Sequence, residues 1–415
     1  MAKRLSTALL VAALTPALIL GWLGFTRPTR GQEPAPGSPE RNREVSPLGQ
    51  AYTGFALELL GQLVDGHPRE NIFFSPASVA VALAMTYHGA SGETREGMGR
   101  VLGVEDLDLA AFHEANRVLL TNLEEADPRA RVTLANSLWA RQGFPFHQSF
   151  LDTNRRYYAA HIQQLDFDDP GSADTINAWV RRKTRDKIPG IVDRIDRDHI
   201  LFLINAIHFK GSWSTRFERA ATRDGSFTLP DGTVITHPLM SRTGRFQHYQ
   251  GEGFQAVKLP YGTGRVSMYV FLPSTQAGLA GLMDALTPGN WATWLASFRE
   301  AEGYLVLPHF SVETEYELAG PLKAMGMELA FDPERADFSA MSPVPPNVYI
   351  GSVKHKAAID VDEEGTEAAA VTSVEMRVVS MPKGFQMVVD RPFLFAIHDD
   401  ETGTILFLGT ILDPR

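Results

Sequence analysis

The 415-residue chain contains no cysteine. That excludes a disulfide framework, lipid attachment through cysteine and metal sites built on thiolates, and it leaves no thiol to oxidise outside a cell. No Asn-x-Ser/Thr glycosylation sequon occurs either. Positive charge is in deficit: 39 Lys and Arg against 49 Asp and Glu give a net charge of −10, which argues against nucleic acid or an acidic membrane surface as the main partner. Catalytic signatures are missing too. There is no Gly-x-Ser-x-Gly elbow, no Walker-type phosphate loop and no His-Glu-x-x-His, since His113-Glu114 lacks the second histidine. The 12 histidines are scattered, so no metal or other cofactor is expected. A hydrolase assembled from distant residues stays as the enzyme alternative.

What is present has an ordinary globular balance, 44% hydrophobic and 21% charged, with no repeat at a fixed period. Lys3 and Arg4 precede an apolar run from Ala8 to Leu23. Residues 1–25 are therefore expected to be a signal peptide or an N-terminal membrane anchor; Pro16 and the modest length favour the signal. Residues 26–47, rich in Pro, Gly and charge, form a disordered spacer on this reading. The expected location is secreted or extracytoplasmic. Residues 48–415 are read as one folded domain. Its densest basic cluster, Arg181, Arg182, Lys183, Arg185 and Lys187, is interleaved with Asp186 and suits a solvated helix face, so no heparin site is evident.

Ser75-Pro76 is an N-cap followed by a helix-starting proline, and Val79 to Tyr87 continues apolar, as a buried helix does. Glu93 begins another helix after the Gly89–Gly92 turn. Apolar periodicity predicts amphipathic helices at about 50–64, 107–125, 172–186 and 315–327. Strands are predicted at Val132–Ala140, Ile200–Lys210, Val266–Phe271, Tyr304–Phe310 and Val348–Val361. Asp231-Gly232 marks a hairpin, and Pro392–Ile397 pairs with Ile405–Ile411 across Asp400–Gly403. Helices gather early and strands late, without βα alternation, which makes the fold class α+β.

The segment Asp362–Glu375 stands apart. Every second residue from Thr366 (Ala368, Ala370, Thr372, Val374) is small or β-branched and uncharged, while the alternate set carries Glu367 and Glu375. Strand side chains alternate faces, so one face is fit for burial and the other for water. Gly365 supplies a backbone pivot, and no proline interrupts the run before Pro382.

With Val353-Lys-His-Lys-Ala357 upstream, this order resembles the hinge of the serpins, the serine protease inhibitor family. Other segments follow in the family's sequence: Asn71-Ile-Phe-Phe-Ser-Pro-Ala-Ser78, Asn136-Ser-Leu-Trp139, Phe202 to Trp213, Met268-Tyr-Val-Phe-Leu-Pro273, Met325-Gly-Met327, Ala336-Asp-Phe-Ser339 and Arg391-Pro-Phe-Leu-Phe395. The likeness runs from about Ser46 to Pro414. It implies a single domain of three β-sheets and about nine helices, with an exposed reactive-centre loop at about 363–385. It also implies a suicide-substrate inhibitor and no enzyme. A serine protease attacks the loop and becomes tethered as an acyl-enzyme, and the cut loop inserts into the main sheet and deforms it. A monomer is expected.

The resemblance assigns a hinge at Glu363, Glu364, Gly365, Thr366, Glu367, Ala368, Ala369 and Ala370. It assigns a shutter at Ser75, Ser78, Asn205 and His355, and a breach at Glu363, His309 and Trp213. Glu363 to Val379 spans 17 residues, the arm length it implies, so the scissile bond is expected at Val379-Ser380. A small β-branched bait suits elastase-like or subtilisin-like proteases. Arg377 and Val378 stay open, because Ser380 to Arg391 is longer than in common members; Arg377 as bait points to trypsin-like targets. A cysteine protease target and a non-inhibitory carrier or chaperone are the other readings. His309 stands in Leu307-Pro-His-Phe310 where the family often has a permanent cation, so its pair with Glu363 is expected to be firm in mild acid and looser above neutrality.

Overall fold

Ser46 opens the folded chain as an N-cap: its hydroxyl accepts the Gly49 N–H, and Pro47 takes the first helical position. The structure is a computed structural model. It describes residues 46–415 apart from 125–126, 128, 185, 187, 197–198, 346 and 367–383, and of 124, 133–135, 205–206 and 208 the backbone alone. Residues Glu44–Arg415 make up one compact unit.

Helix α1 (Pro47–Gly66) buries Leu48, Tyr52, Phe55, Leu59 and Leu63, one stripe at helical spacing. Asn71 precedes β1 (Ile72–Phe74), and α2 (Pro76–Tyr87) follows, buried at every position but Ala82. The other helices are α3 (Gly92–Leu102), α4 (Leu109–Glu124), α5 (Gln148–Tyr158), α6 (Gly171–Lys183), α7 (Gly278–Asp284), α8 (Pro288–Ser297) and the short α9 (Ala319–Leu322). Nine α-helical segments thus lie among the described residues.

The main sheet has the order β10 (Phe310–Glu317), β11 (Lys354–Val361), β12 (Gly365–Thr366), β4 (Leu201–Ser212), β2 (Ala130–Arg141), β3 (His161–Leu165). All its pairs are antiparallel except β2 with β3. A second sheet runs β1, β15 (Thr404–Ile411), β14 (Phe393–Asp399), β8 (Val266–Pro273), β7 (Phe254–Pro260) and the far end of β6 (Val234–Gly251). The near part of β6 carries β5 (Arg223–Thr228) and β9 (Arg299–Pro308), and β9 carries β13 (Phe385–Val388). The 18-residue β6 therefore joins a second and a third sheet into one continuous ladder. At the heart of the second sheet, β14 and β15 are buried at all positions. There β15 receives the early strand β1, and the Asn71 side chain fastens the pair by accepting the Leu412 and Asp413 N–H groups.

Three sequence expectations change. The helix expected over 315–327 starts late: Glu315, Tyr316 and Glu317 extend β10, because Tyr316 is buried opposite His355 and Glu315 pairs across the strands with Lys356. The helical part is α9 followed by an irregular turn at Gly326, where φ is +116°. The strand expected from Val348 begins only at Lys354. Before it, the Ile350 N–H goes to Ala330 and the Val353 carbonyl to Leu318, so this stretch does not join the ladder. His309 breaks the strand expected over 304–310 into β9 and β10, its N–H bonding Pro238. The hairpin at Asp231-Gly232 forms, with Gly232 at φ +86° and the Asp231 carboxylate accepting the Thr233 N–H.

Candidate functional site

At Val361 the main sheet reaches its edge and the chain turns back within four residues. Asp362 shapes that turn. Its carboxylate accepts the Glu364 and Gly365 N–H groups at 2.8 and 3.1 Å, and its own N–H bonds the Gly365 carbonyl. Gly365 sits at φ +150°, and a Cβ there would lie 2.0 Å from the Gly211 carbonyl oxygen, so only glycine lets the two backbones approach. The returning residues form β12, with Thr366 opposite both Val361 of β11 and Gly211 of β4. Two residues of inserted strand thus already stand between β11 and β4. Glu363 to Thr366 are buried, so these four residues are not part of the exposed loop expected from Glu363.

The segment after β4 holds this turn by its carbonyls. Trp213 donates its backbone N–H to Glu364 and its indole N–H to Asp362, both at 2.9 Å, and Phe217 donates to Glu363 at 3.0 Å. Both glutamates point into cover. Glu363 accepts the Thr222 hydroxyl at 2.6 Å, and His309 Nε2 lies 3.0 Å from the same oxygen, at ion-pair distance without hydrogen-bond alignment. Burial pushes the Glu363 carboxyl up, but the Thr222 hydroxyl, the residue's own N–H and the His309 ring outweigh it and hold the group below the usual carboxylate range. Glu364 pairs with Arg219 at 3.0 Å through one oxygen, while the other has no hydrogen-bond partner. Thr366 meets the buried Tyr261 hydroxyl at 2.8 Å, and Tyr261 stacks on Trp213 with ring centroids 4.3 Å apart.

Beyond Thr366, among the described residues, no ladder pair joins β4 to β11. A cleft of about 770 Å³ opens there, walled by Leu201–Ile204 on one side and Ile350–His355 on the other, with Ser78, Val79 and Leu83 of α2 also lining it. Strands four to five ångströms from a partner would complete their backbone pairing in such a gap. The cleft is a seam between β4 and β11.

His355 marks this seam at its base. Its Nε2 accepts the Ser75 N–H at 3.0 Å, the Ser75 hydroxyl donates to Leu406 O at 2.6 Å, and the Ser78 N–H returns to Ser75 Oγ at 3.2 Å. Accepting at Nε2 places the ring proton on Nδ1, and desolvation lowers the imidazole from 6.5 to about 4. Three of the four residues that the resemblance assigns to a shutter are therefore in one buried network. Asn205 lies in β4 opposite Asn136, with its backbone alone described. Glu367, Ala368, Ala369, Ala370, Arg377, Val378, Val379 and Ser380 fall outside the described residues. Sequence reading missed Tyr261, Thr222, Arg219 and Phe217. Tyr261 had one signal, an aromatic residue between Pro260 and Gly262 at a strand end; the others come from a segment with no strong periodicity.

A family model described as Serpin (serine protease inhibitor) matches residues 50–414. Serpin B11 of Homo sapiens is 34% identical over 390 residues, covering 88% of this chain and 99% of that one. Among solved structures, the thermophilic serpin Tengpin in its native state superposes with a TM-score of 0.81 at 31% identity, covering 88% of this chain and 94% of Tengpin. Its latent state gives 0.77 at 29%, covering 89% and 98%. Human thyroxine-binding globulin, complexed with its hormone, gives 0.80 at 25%, covering 89% and 98%.

Proposed function

The chain belongs to the serpin family of serine protease inhibitors, and from that premise we propose that it is an inhibitory, exported member of bacterial type that traps elastase-like or subtilisin-like proteases. Serpins act as inhibitors, not enzymes. The observation that carries the inhibitory reading is β12, seated between β11 and β4 at the head of an open seam. If the inserting arm continues the register of Thr366, Ala368 would fall between Phe209 and Ile359, Ala370 between Ile207 and Ala357, and Thr372 between Asn205 and His355. Phe209, Ile359, Ile207, Ala357 and His355 are buried, so the entering face has room for small, uncharged side chains and none for a charge.

On this reading the protease serine attacks the Val379 carbonyl. An ester forms between its Oγ and Val379, the peptide bond breaks, and Ser380 leaves with a new amino group. The freed arm enters the seam before water can hydrolyse the ester, and the tethered protease is carried along and distorted. The 13 residues from Glu367 to Val379, at ~3.3 Å each, would span roughly 43 Å, the scale of a domain.

The test is a protease panel read on a denaturing gel, which should show a covalent complex with an elastase-like or subtilisin-like enzyme. Mass spectrometry of the released C-terminal fragment should start it at Ser380. A fragment starting at Val378 moves the cut to Arg377 and the target to trypsin-like enzymes. The likeness to a thyroxine carrier supports one second reading, a non-inhibitory serpin; cleavage of the loop without any trapped complex would select it.

A further inference from the structure

The strand shared by two sheets leaves a notch where it changes partners. β6 pairs with β7 only from Gln247 to Gly251, and before that it runs beside β9. Between Arg242 and Phe246 it splays away from Leu259 and Pro260, and the gap, about 190 Å³, is floored by Trp213, Phe217 and Phe246. The floor is apolar and closed: Trp213, Phe217, Phe246 and Leu259 are all buried. Cations outnumber anions around it: Arg242, Arg245 and Lys258 line the same gap with one carboxylate, Glu300.

Two of these cations have partners. Arg245 lies 3.3 Å from Glu300, both well exposed, and Lys258 lies 2.7 Å from Asp400. Arg242 has no carboxylate partner among the described residues. Its guanidinium carbon sits 4.5 Å from the Phe246 ring centre and 5.4 Å from that of Phe217. Nη1 donates to the Thr215 carbonyl at 2.6 Å, and the buried Nε has no acceptor. Loss of water has lowered this guanidinium to about 10. A cation over two ring faces keeps its edge for a planar anion, and guanidinium with carboxylate is the pairing that fits such an edge.

We propose that this notch binds a small aromatic carboxylate, with its anion against Arg242 and its ring over the Trp213–Phe217–Phe246 floor. The size agrees: an apolar cavity of about 150 Å³ takes up benzene. The floor also reaches the hinge. Trp213 and Phe217 are the residues whose N–H groups hold the carbonyls of Asp362, Glu363 and Glu364. A ligand wedged against both rings steadies those three bonds and slows opening of the turn. Slower loop entry as a consequence rests on the inhibitory reading; binding and the steadier turn do not.

The experiment is calorimetric titration of the full chain with benzoate at neutral pH, paired with hydrogen exchange of the peptide spanning 360–366. Saturable binding near a Kd of about 1 mM is expected. Arg242→Gln should weaken it about ten-fold or more, while Arg242→Lys, which keeps the charge but not the planar edge, should recover only part of the loss. Benzyl alcohol, with the ring but no charge, and inorganic phosphate, with charge but no ring, should each bind more weakly than benzoate. Exchange at the Glu364 and Gly365 amides should slow with benzoate present. Benzoate affinity unchanged in an Arg242→Gln protein of normal thermal midpoint overturns the site, as does phosphate binding equally well. Unchanged exchange at saturation overturns the link to the hinge. Neither readout needs a protease, so a chain that traps nothing refutes the inhibitory reading and leaves this one measurable.

Discussion

His355 performs its role only while neutral, since Nε2 must stay bare to accept the Ser75 N–H. Its folded value of about 4 lies below the unfolded 6.5, so between the two the unfolded chain binds more protons. Stability from this group is therefore complete above about pH 6.5 and is lost as pH falls toward about 4, on the order of 3 kcal/mol in all. His355→Gln offers an oxygen acceptor that does not titrate, and its stability curve should be flatter across that window. His88 and His113 are also lowered to about 4, each first by burial, so the difference between the two proteins is the quantity to read; parallel curves would exclude the role. His355→Ala removes the acceptor altogether and should promote premature loop insertion or polymerisation, seen as a change in thermal midpoint and inhibition. Thr366 sits against Tyr261 in a space closed to water. An arginine there places an unpaired charge in the sheet at a cost of several kcal/mol. Thr366→Arg should still be cut at the bait bond yet trap no protease, and a gel showing as much complex as wild type would sink insertion as the mechanism.

The hinge turn is an element assembled by its neighbours. Glu363 is held below the usual carboxylate range, so its contribution is present above that range and disappears only as pH falls through the lowered value. His309 stands beside this carboxylate, its Nε2 3.0 Å from Glu363 Oε1. His309→Lys, which sets a permanent cation there, should firm the turn and slow trapping relative to the wild type. Equal trapping rates in the two proteins would rule out the latch. Elements with a strong local pattern were legible beforehand. Ser75-Pro76 announces α2, and continuous apolar runs announce β4, β14 and β15, because a residue's own neighbours determine which face is buried. The turn before β12 was legible through Gly365, the expected backbone pivot. What lay beyond the sequence was who sits opposite. β12 is two residues long and exists because β11 and β4 flank it, and Thr222, Arg219 and Tyr261 reach it from 105 to 145 residues away. Tyr316 joined a strand against its helical periodicity because His355 faces it across the sheet.

For the molecule as a whole the seam is a reserve of unmade pairing. If about ten loop residues enter it, at on the order of 1 kcal/mol net per ladder hydrogen bond, the gain is comparable to the 5–15 kcal/mol that typically holds a domain together. Protein cut in the loop by a protease it fails to trap should therefore unfold at a distinctly higher denaturant concentration than intact protein. An unchanged midpoint would mean that the cut arm stays outside. The pairing of β1 with β15 bears on how such a state is reached at all. Asn71 bonds Asp413 from 342 residues away, so the second sheet cannot close until the last residues of the chain have been made. High contact order delays that closure, and a nascent chain waits with β1 and the apolar α2 uncovered. Synthesis from one end therefore gives no early, stable half to build upon, and any strain that holds the seam open must be set in the final folding step, when the C-terminal strand arrives.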